Sequence, residues 1–198
     1  MHTTTQRTLG AVLAAGIIGL AGAAHAHTGD AHGAGFTHGF AHPFGGVDHL
    51  LAMVTVGLWA AQRGGRALWA VPLSFMGMML VGGLLGLNGV ALPSVELGIA
   101  ASLVVLGSLV ALAVRPSVWL GAAIVGAFAV FHGHAHGAEA PEAAAPALYA
   151  AGFVAATGLL HLLGIAGFRS AAVAKAGGVL VRVTGAAVAA SGIALLAV

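Results

Sequence analysis

Long apolar runs separated by short polar connections dominate this sequence. After a first run near the N-terminus, six more are each long enough to cross a bilayer, which takes about 20 residues of helix. The predicted helices cover residues 39–62, 67–88, 93–113, 117–137, 146–168 and 175–197. The pattern therefore predicts an all-α fold, a polytopic membrane helix bundle with six transmembrane helices.

The first apolar run has the features of a cleavable N-terminal signal peptide. A basic residue precedes the run over residues 9–24, and "AHA" then fits an A-x-A cleavage site. Cleavage would remove residues 1–26, make His27 the mature N-terminus and leave one six-helix transmembrane domain, 27–198. An uncleaved anchor helix is the alternative. In both cases the residues that follow lie outside the cytoplasm.

Composition supports a membrane protein and excludes several kinds of site. Of the 198 residues, 60% are hydrophobic and only 6% are charged, whereas a soluble domain has about 25% charged residues. The chain has no cysteine, which excludes disulfides and thiolate metal sites. No P-loop motif is present, so this chain does not hydrolyse ATP to drive a process. Its few charges give no indication of nucleic-acid binding.

Charges in the connections predict how the helices are oriented. The bases fall on one alternate side, at Arg63, Arg66, Arg115, Arg169 and Lys175, and the acids on the other, at Asp30, Glu96, Glu139 and Glu142. The positive-inside rule then predicts a multi-pass protein of the bacterial inner membrane with periplasmic mature N- and C-termini. Arg182 lies about two turns into the last helix, where it either snorkels inward or pairs within the bundle.

Glycine recurs at the spacing of closely packed membrane helices. Gly82 and Gly86 form one small-xxx-small pair, and Gly133 and Gly137 form another. Such pairs let two helix backbones approach each other. We expect both to mark helix contacts.

The first predicted helix contains a histidine–carboxylate group in "AHPFGGVDHLLAM". His42 and His49 are seven residues apart and share one helical face, with His38 four residues earlier on the same stripe. At about 1.5 Å per residue, Asp48 and His49 would lie near the bilayer centre. A carboxylate there costs about 2.5–3.5 kcal/mol, and such residues usually line an ion or proton path. An Asp–His pair that only joins two helices is the alternative.

Pro43, Gly45 and Gly46 interrupt the start of this helix. Proline is tolerated where a regular helix begins, and two glycines allow a break or a close approach. Broken helices occur repeatedly at transporter binding sites.

The fourth predicted helix ends in a second histidine group. His132 and His136 are spaced i, i+4 and share a face, His134 points the other way, and Glu139 follows. A histidine pair at this spacing is a standard metal-binding arrangement on a helix. A His-rich rim that captures metal loosely is the alternative. His161 in the fifth helix is either a further ligand or a hydrogen-bonded packing residue.

Imidazole and carboxylate without thiolate suit Ni²⁺, Co²⁺, Zn²⁺ or Cu²⁺. From outside to inside, the groups form a series: the tail with His27 and His38, then His42 with His132 and His136, then Asp48 and His49, then His161. A flexible tail without a fixed role is the alternative for the first group. A graded series of moderate sites suits transport, because ions must leave as well as enter.

The motifs "HPFGGVDHLLAM" and "FHGHAHGAE" resemble those of the HupE/UreJ family of nickel/cobalt permeases, over essentially the whole mature chain. The resemblance implies a secondary transporter that supplies Ni²⁺ or Co²⁺ to nickel enzymes such as urease or hydrogenase. The divalent ion is then cargo, and no cofactor is permanently bound. Carried over by position, the motifs point to metal-site residues at His42, Asp48, His49, His132 and Glu139.

Two other functions fit parts of the sequence. A membrane metal-binding accessory protein without transport would use the same ligands. A membrane di-iron enzyme is suggested by His-x-x-x-His at 38/42 and 132/136. However, no His-x-x-His-His box follows, and both pairs lie on the predicted external side. We therefore expect that the protein is not an enzyme.

Overall fold

The computed structural model describes residues 34–140, 145–170, 176 and 178–197, and this part of the chain is all-α without a strand. Its helices are α1 (Ala34–Ala41), α2 (Val47–Arg63), α3 (Ala67–Leu87), α4 (Val95–Ala111), α5 (Val118–Ala138), α6 (Pro146–Phe168) and α7 (Val179–Leu196). A short 3₁₀ helix, His42–Phe44, lies between α1 and α2. The predicted signal peptide and His27 lie outside the described residues.

Four helices are long and apolar enough to cross a membrane: α3, α5, α6 and α7. The pair α1 and α2 counts as a fifth if a broken span is allowed, and α4 is apolar but has only 17 residues. The described part thus contains four or five candidate spans, and a six-span arrangement stays a prediction.

The first predicted helix, 39–62, is not continuous. The chain bends by 84° between the segment up to Phe44 and α2. Gly46, which precedes α2, is extended (φ −109°, ψ 120°). A Cβ there would lie 2.8 Å from Asp48 Oδ1 and 3.0 Å from His49 Nδ1, so the missing side chain leaves room for both groups.

The bend changes what can be inferred about Asp48. The depth count assumed one straight helix, but Asp48 and His49 lie in the first turn of α2. Residues before the break run in another direction, so a position near the bilayer centre no longer follows from counting. For the same reason, His38 on α1 does not extend one helical stripe through His42 and His49.

The two glycine pairs pack α3 against α5, as predicted. A Cβ on Gly82 would overlap the Val130 carbonyl oxygen, and one on Gly133 would overlap that of Met79. Gly86 and Gly137 make equally close backbone contacts across the same interface. This contact, the most extensive between helices in the described part, fixes the helix that carries His132 and His136.

Helix α6 supports both halves of the broken segment. A Cβ on Gly39 of α1 would overlap the Tyr149 carbonyl oxygen, and one on Gly57 of α2 would overlap that of His161. In the other direction, Gly152 lies against the Phe36 carbonyl. These contacts hold α1 and α2 on one helix despite the bend.

Two of the basic connections, those with Arg63 and Arg115, meet at one end of the bundle. Arg63 donates to the Pro116 carbonyl, and Arg182 Nε donates to the Ala111 carbonyl at 2.7 Å. Arg182 therefore pairs with a helix of the bundle, since it satisfies a carbonyl at the end of α4, although its side chain is exposed. Two exposed tryptophans, Trp69 and Trp119, contact each other near this end (ring centroids 6.3 Å apart), as in the aromatic belts of membrane proteins.

The α3–α5 contact gives a direct stability test. We expect Gly133→Ala to destabilise the protein by about 1–3 kcal/mol, because the added methyl group forces the backbones apart. The measurement is thermal unfolding in detergent. Gly77→Ala is the matched control, since nothing lies within 4 Å of a Cβ there and alanine favours the helix. Equal melting temperatures for the two variants would contradict the close contact.

Candidate metal centre

Four imidazoles from three segments form a continuous row, here called the histidine cluster: His42, His49, His132 and His136. Ring centroids are 4.6 Å apart for His42 and His136, 4.1 Å for His136 and His49, and 4.7 Å for His49 and His132. His49, His132 and His136 are buried, and His42 is half-buried. The two histidine motifs of the sequence therefore meet in space.

Helical geometry on α5 selects which histidines join the cluster. His132 and His136 lie one turn apart on the buried face. His134, between them, faces away, and its Nε2 lies 2.7 Å from the Val90 carbonyl oxygen. This agrees with the prediction that His134 points the other way.

The outer end of the cluster includes a carboxylate. His42, His136 and Glu139 place one ligand atom each within 4.8 Å of one another. His42 Nε2 lies 3.5 Å from Glu139 Oε2, and the Glu139 side chain is 65% exposed. An ion arriving from solvent would meet Glu139 before it reached the buried imidazoles.

Three of the four imidazoles are each held through a ring nitrogen by a different side chain. Asp48 Oδ1 accepts from the His49 backbone N–H (2.8 Å) and lies 2.9 Å from His49 Nδ1. The Tyr149 hydroxyl lies 2.8 Å from His42 Nδ1. Ser102 Oγ lies 2.8 Å from His132 Nε2. His49 and His132 are thereby oriented through one ring nitrogen each, whereas His42 also has Glu139 near its Nε2.

The remaining buried ring nitrogens of the histidine cluster have no hydrogen-bond partner in the described part of the chain. They are Nε2 of His49, Nδ1 of His132 and both ring nitrogens of His136. Leaving a buried polar atom unpaired costs about 1–3 kcal/mol. Metal-binding imidazoles typically use one nitrogen as ligand while the other is fixed by a neighbouring group. The arrangement fits a borderline divalent ion, for which imidazole is a suitable ligand.

Asp48 lies directly beside His49, and its role as a metal ligand stays a prediction. Its Oδ1 is engaged by His49 on two atoms. In the structure this oxygen orients an imidazole instead of standing open beside the cluster.

Two predicted residues lie apart from the cluster. His38 is exposed on α1. His161 is buried on α6, and neither of its ring nitrogens has a hydrogen-bond partner among the described residues. The Phe75 ring contacts both His132 and His161, with centroids 5.7 and 5.3 Å away, so an aromatic ring lies between His161 and the cluster.

Sequence reasoning missed Ser102, Tyr149 and Phe75. Tyr149 is the only tyrosine in the chain, which is a weak signal at best. Ser102 is one of the few hydroxyl side chains of an apolar helix, and the sequence gives no signal that it contacts a histidine.

A cavity of about 300 Å³ adjoins the cluster, and His136, Tyr149 and Phe153 are among its lining residues.

Comparison with known proteins agrees with the motifs. The profile of the family described as "HupE / UreJ protein" matches residues 12–195. The chain is 51% identical over 173 residues to "Protein HupE" of Rhizobium leguminosarum bv. viciae, which covers 87% of this chain and 90% of the relative. No solved structure shows significant similarity to the chain.

His134 and His136 offer a matched pair for testing the cluster. We expect His136→Ala to weaken Ni²⁺ binding at least about tenfold, equivalent to about 1.4 kcal/mol, because it removes an imidazole with two unpartnered nitrogens. His134→Ala changes the same residue type on the same helix and should leave affinity unchanged. Calorimetric titration of detergent-purified protein measures both. Equal losses would show that the histidines act only as a loose His-rich rim.

Proposed function

Since the chain belongs to the HupE/UreJ family, we propose that it is a secondary transporter that imports Ni²⁺ or Co²⁺ through the histidine cluster. Family membership means that it is a membrane protein of metal transport or accessory function and not an enzyme. The ion is cargo, and its destination is a nickel enzyme such as hydrogenase or urease.

One observation carries this proposal: a row of imidazoles with free nitrogens leads inward from an exposed carboxylate. Glu139 and His42 stand at the outer end, and His49 and His132 at the inner end, with His136 contacting both His42 and His49. Because no cysteine is present, thiolates do not contribute, and each site consists of imidazole and carboxylate groups. An ion can then be passed on, as conduction requires.

Asp48 acts through His49 in this scheme. A carboxylate that accepts the Nδ1 proton fixes the ring and leaves Nε2 as the atom that faces the ion. Its negative charge also offsets part of the charge of a divalent cation beside it. This accounts for an acid inside an apolar stretch.

The arrangement in the membrane follows from the charges at the two ends of the bundle. With α4 and the broken α1–α2 pair counted as spans, the domain crosses six times. The end with the basic connections would face the cytoplasm and the cluster end the periplasm, which puts both mature termini in the periplasm. The signal peptide, residues 1–26, belongs to the same proposal.

Residues outside the cluster receive roles at either end of the route. His38 on α1 and His27 in the tail would capture ions before they reach His42. His161, beyond Phe75, would take the ion after His132. The last residue of this route, His161, thus lies in the half of the bundle nearer the basic connections, from which the ion would leave.

Uptake by reconstituted protein tests the proposal. We expect proteoliposomes with wild-type protein to accumulate Ni²⁺, and His49→Ala and Asp48→Asn to reduce the rate at least about tenfold, since both disturb the inner part of the cluster. His134→Ala serves as the control and should transport normally. The readout is intravesicular nickel against time, with Co²⁺, Zn²⁺ and Mg²⁺ as competitors.

Two results would count against transport. Undiminished uptake by both inner variants would remove the cluster from the route. Stoichiometric Ni²⁺ binding without flux would favour the accessory function, which uses the same ligands.

A further inference from the structure

Ser102 is the one fully buried hydroxyl that touches the histidine cluster among the described residues. It lies on α4, away from both sequence motifs. Its Oγ is 2.6 Å from the Ile99 carbonyl oxygen and 2.8 Å from His132 Nε2. Both contacts are short enough to be hydrogen bonds.

The two contacts together determine where the protons lie. A serine hydroxyl has one proton to donate and can accept others. The Ile99 carbonyl can only accept, so a 2.6 Å contact requires the hydroxyl to donate to it. The second contact then needs its proton from the ring, which makes His132 Nε2 the donor.

For a neutral ring, this assignment fixes the tautomer of His132. A neutral imidazole with its proton on Nε2 has its lone pair on Nδ1. Nδ1 is buried and has no partner within the described part of the chain. The nearest imidazole of the cluster is that of His49, which contacts His132 edge to face.

We propose that Ser102 is a positioning residue that holds His132 as the Nε2–H tautomer in one ring orientation and so offers Nδ1 to the metal ion. The part concerning the ion rests on the proposed function, whereas the part concerning the proton does not. Three partners would then prepare the cluster: Asp48 for His49, Tyr149 for His42 and Ser102 for His132.

Loss of the hydroxyl should affect binding without removing any ligand. In Ser102→Ala the Nε2–H would be buried without an acceptor, and the ring would be free to rotate. Variants of groups that orient a ligand typically lose about 10- to 100-fold in metal affinity. Ser102→Thr keeps a hydroxyl that can bond the preceding turn and should restore most of the affinity.

The test combines two measurements on detergent-purified full-length protein. Nitrogen-15 NMR of the metal-free protein locates the imidazole proton of His132, and titration with Ni²⁺ alone gives the affinity. Ser74→Ala is the matched control, because its Oγ also makes an interhelical hydrogen bond, to the Ala122 carbonyl at 2.7 Å, but does not touch the cluster.

We expect a hydrogen-bonded proton on Nε2 in the wild type and in Ser102→Thr. Its shift should lose the hydrogen-bonded character in Ser102→Ala, with Ni²⁺ affinity about 10- to 100-fold weaker and Ser74→Ala unchanged. A proton on Nδ1 in the wild type would overturn the proposal, as would equal affinity losses in Ser102→Ala and Ser74→Ala. If the wild type bound no Ni²⁺, the proposed function would fail, while the NMR result would still decide the Ser102–His132 contact.

Discussion

Backbone contact between α3 and α5 is the constraint on which the rest of the site depends. Because glycines replace side chains where the two helices meet, α5 is held too close to α3 to rotate without overlap. The directions of the His132 and His136 side chains are therefore fixed by backbone packing and not by an ion pair. The same logic applies where α1 and α2 rest on α6, whose side chains include Tyr149 and His161.

A second constraint, the pairing of ring nitrogens, turns this packing into a binding site. A structural buried histidine would normally have its polar atoms satisfied. Here His49 and His132 are each held at one nitrogen by a different partner, and within the described part of the chain His136 is held at neither. The packing thus fixes the rings, and their unpaired nitrogens are the atoms that the proposed metal ion would contact.

The apolar pattern predicted most of the fold because lipid contact and helix length leave few choices. The helix predicted at 146–168 coincides with α6. The helices predicted at 67–88 and 117–137 match α3 and α5 to within one residue at each end. The bend after Phe44 was harder to predict from the sequence. Proline and glycine permit a break, but its angle depends on how α1 and α2 pack on α6, which is tertiary information.

The residues of the site likewise divide into those that the sequence predicts and those that it does not. His132 and His136 could be assigned to one face from their spacing, and His134 to the other. Ser102 and Tyr149 could not be found, because they contact their histidines across 30 and 107 residues of sequence. Asp48 was recognised as important for its cost in lipid, but its contact with His49 depends on the room that Gly46 leaves.

The central claim is that the histidine cluster binds the transported ion through free imidazole nitrogens. X-ray absorption at the nickel edge of the Ni²⁺-loaded, purified protein tests it most directly, since imidazole rings give a characteristic outer-shell scattering. We predict nitrogen and oxygen ligands that include two or more imidazoles, with no sulfur. A shell of oxygen atoms alone, or one containing methionine sulfur, would contradict it.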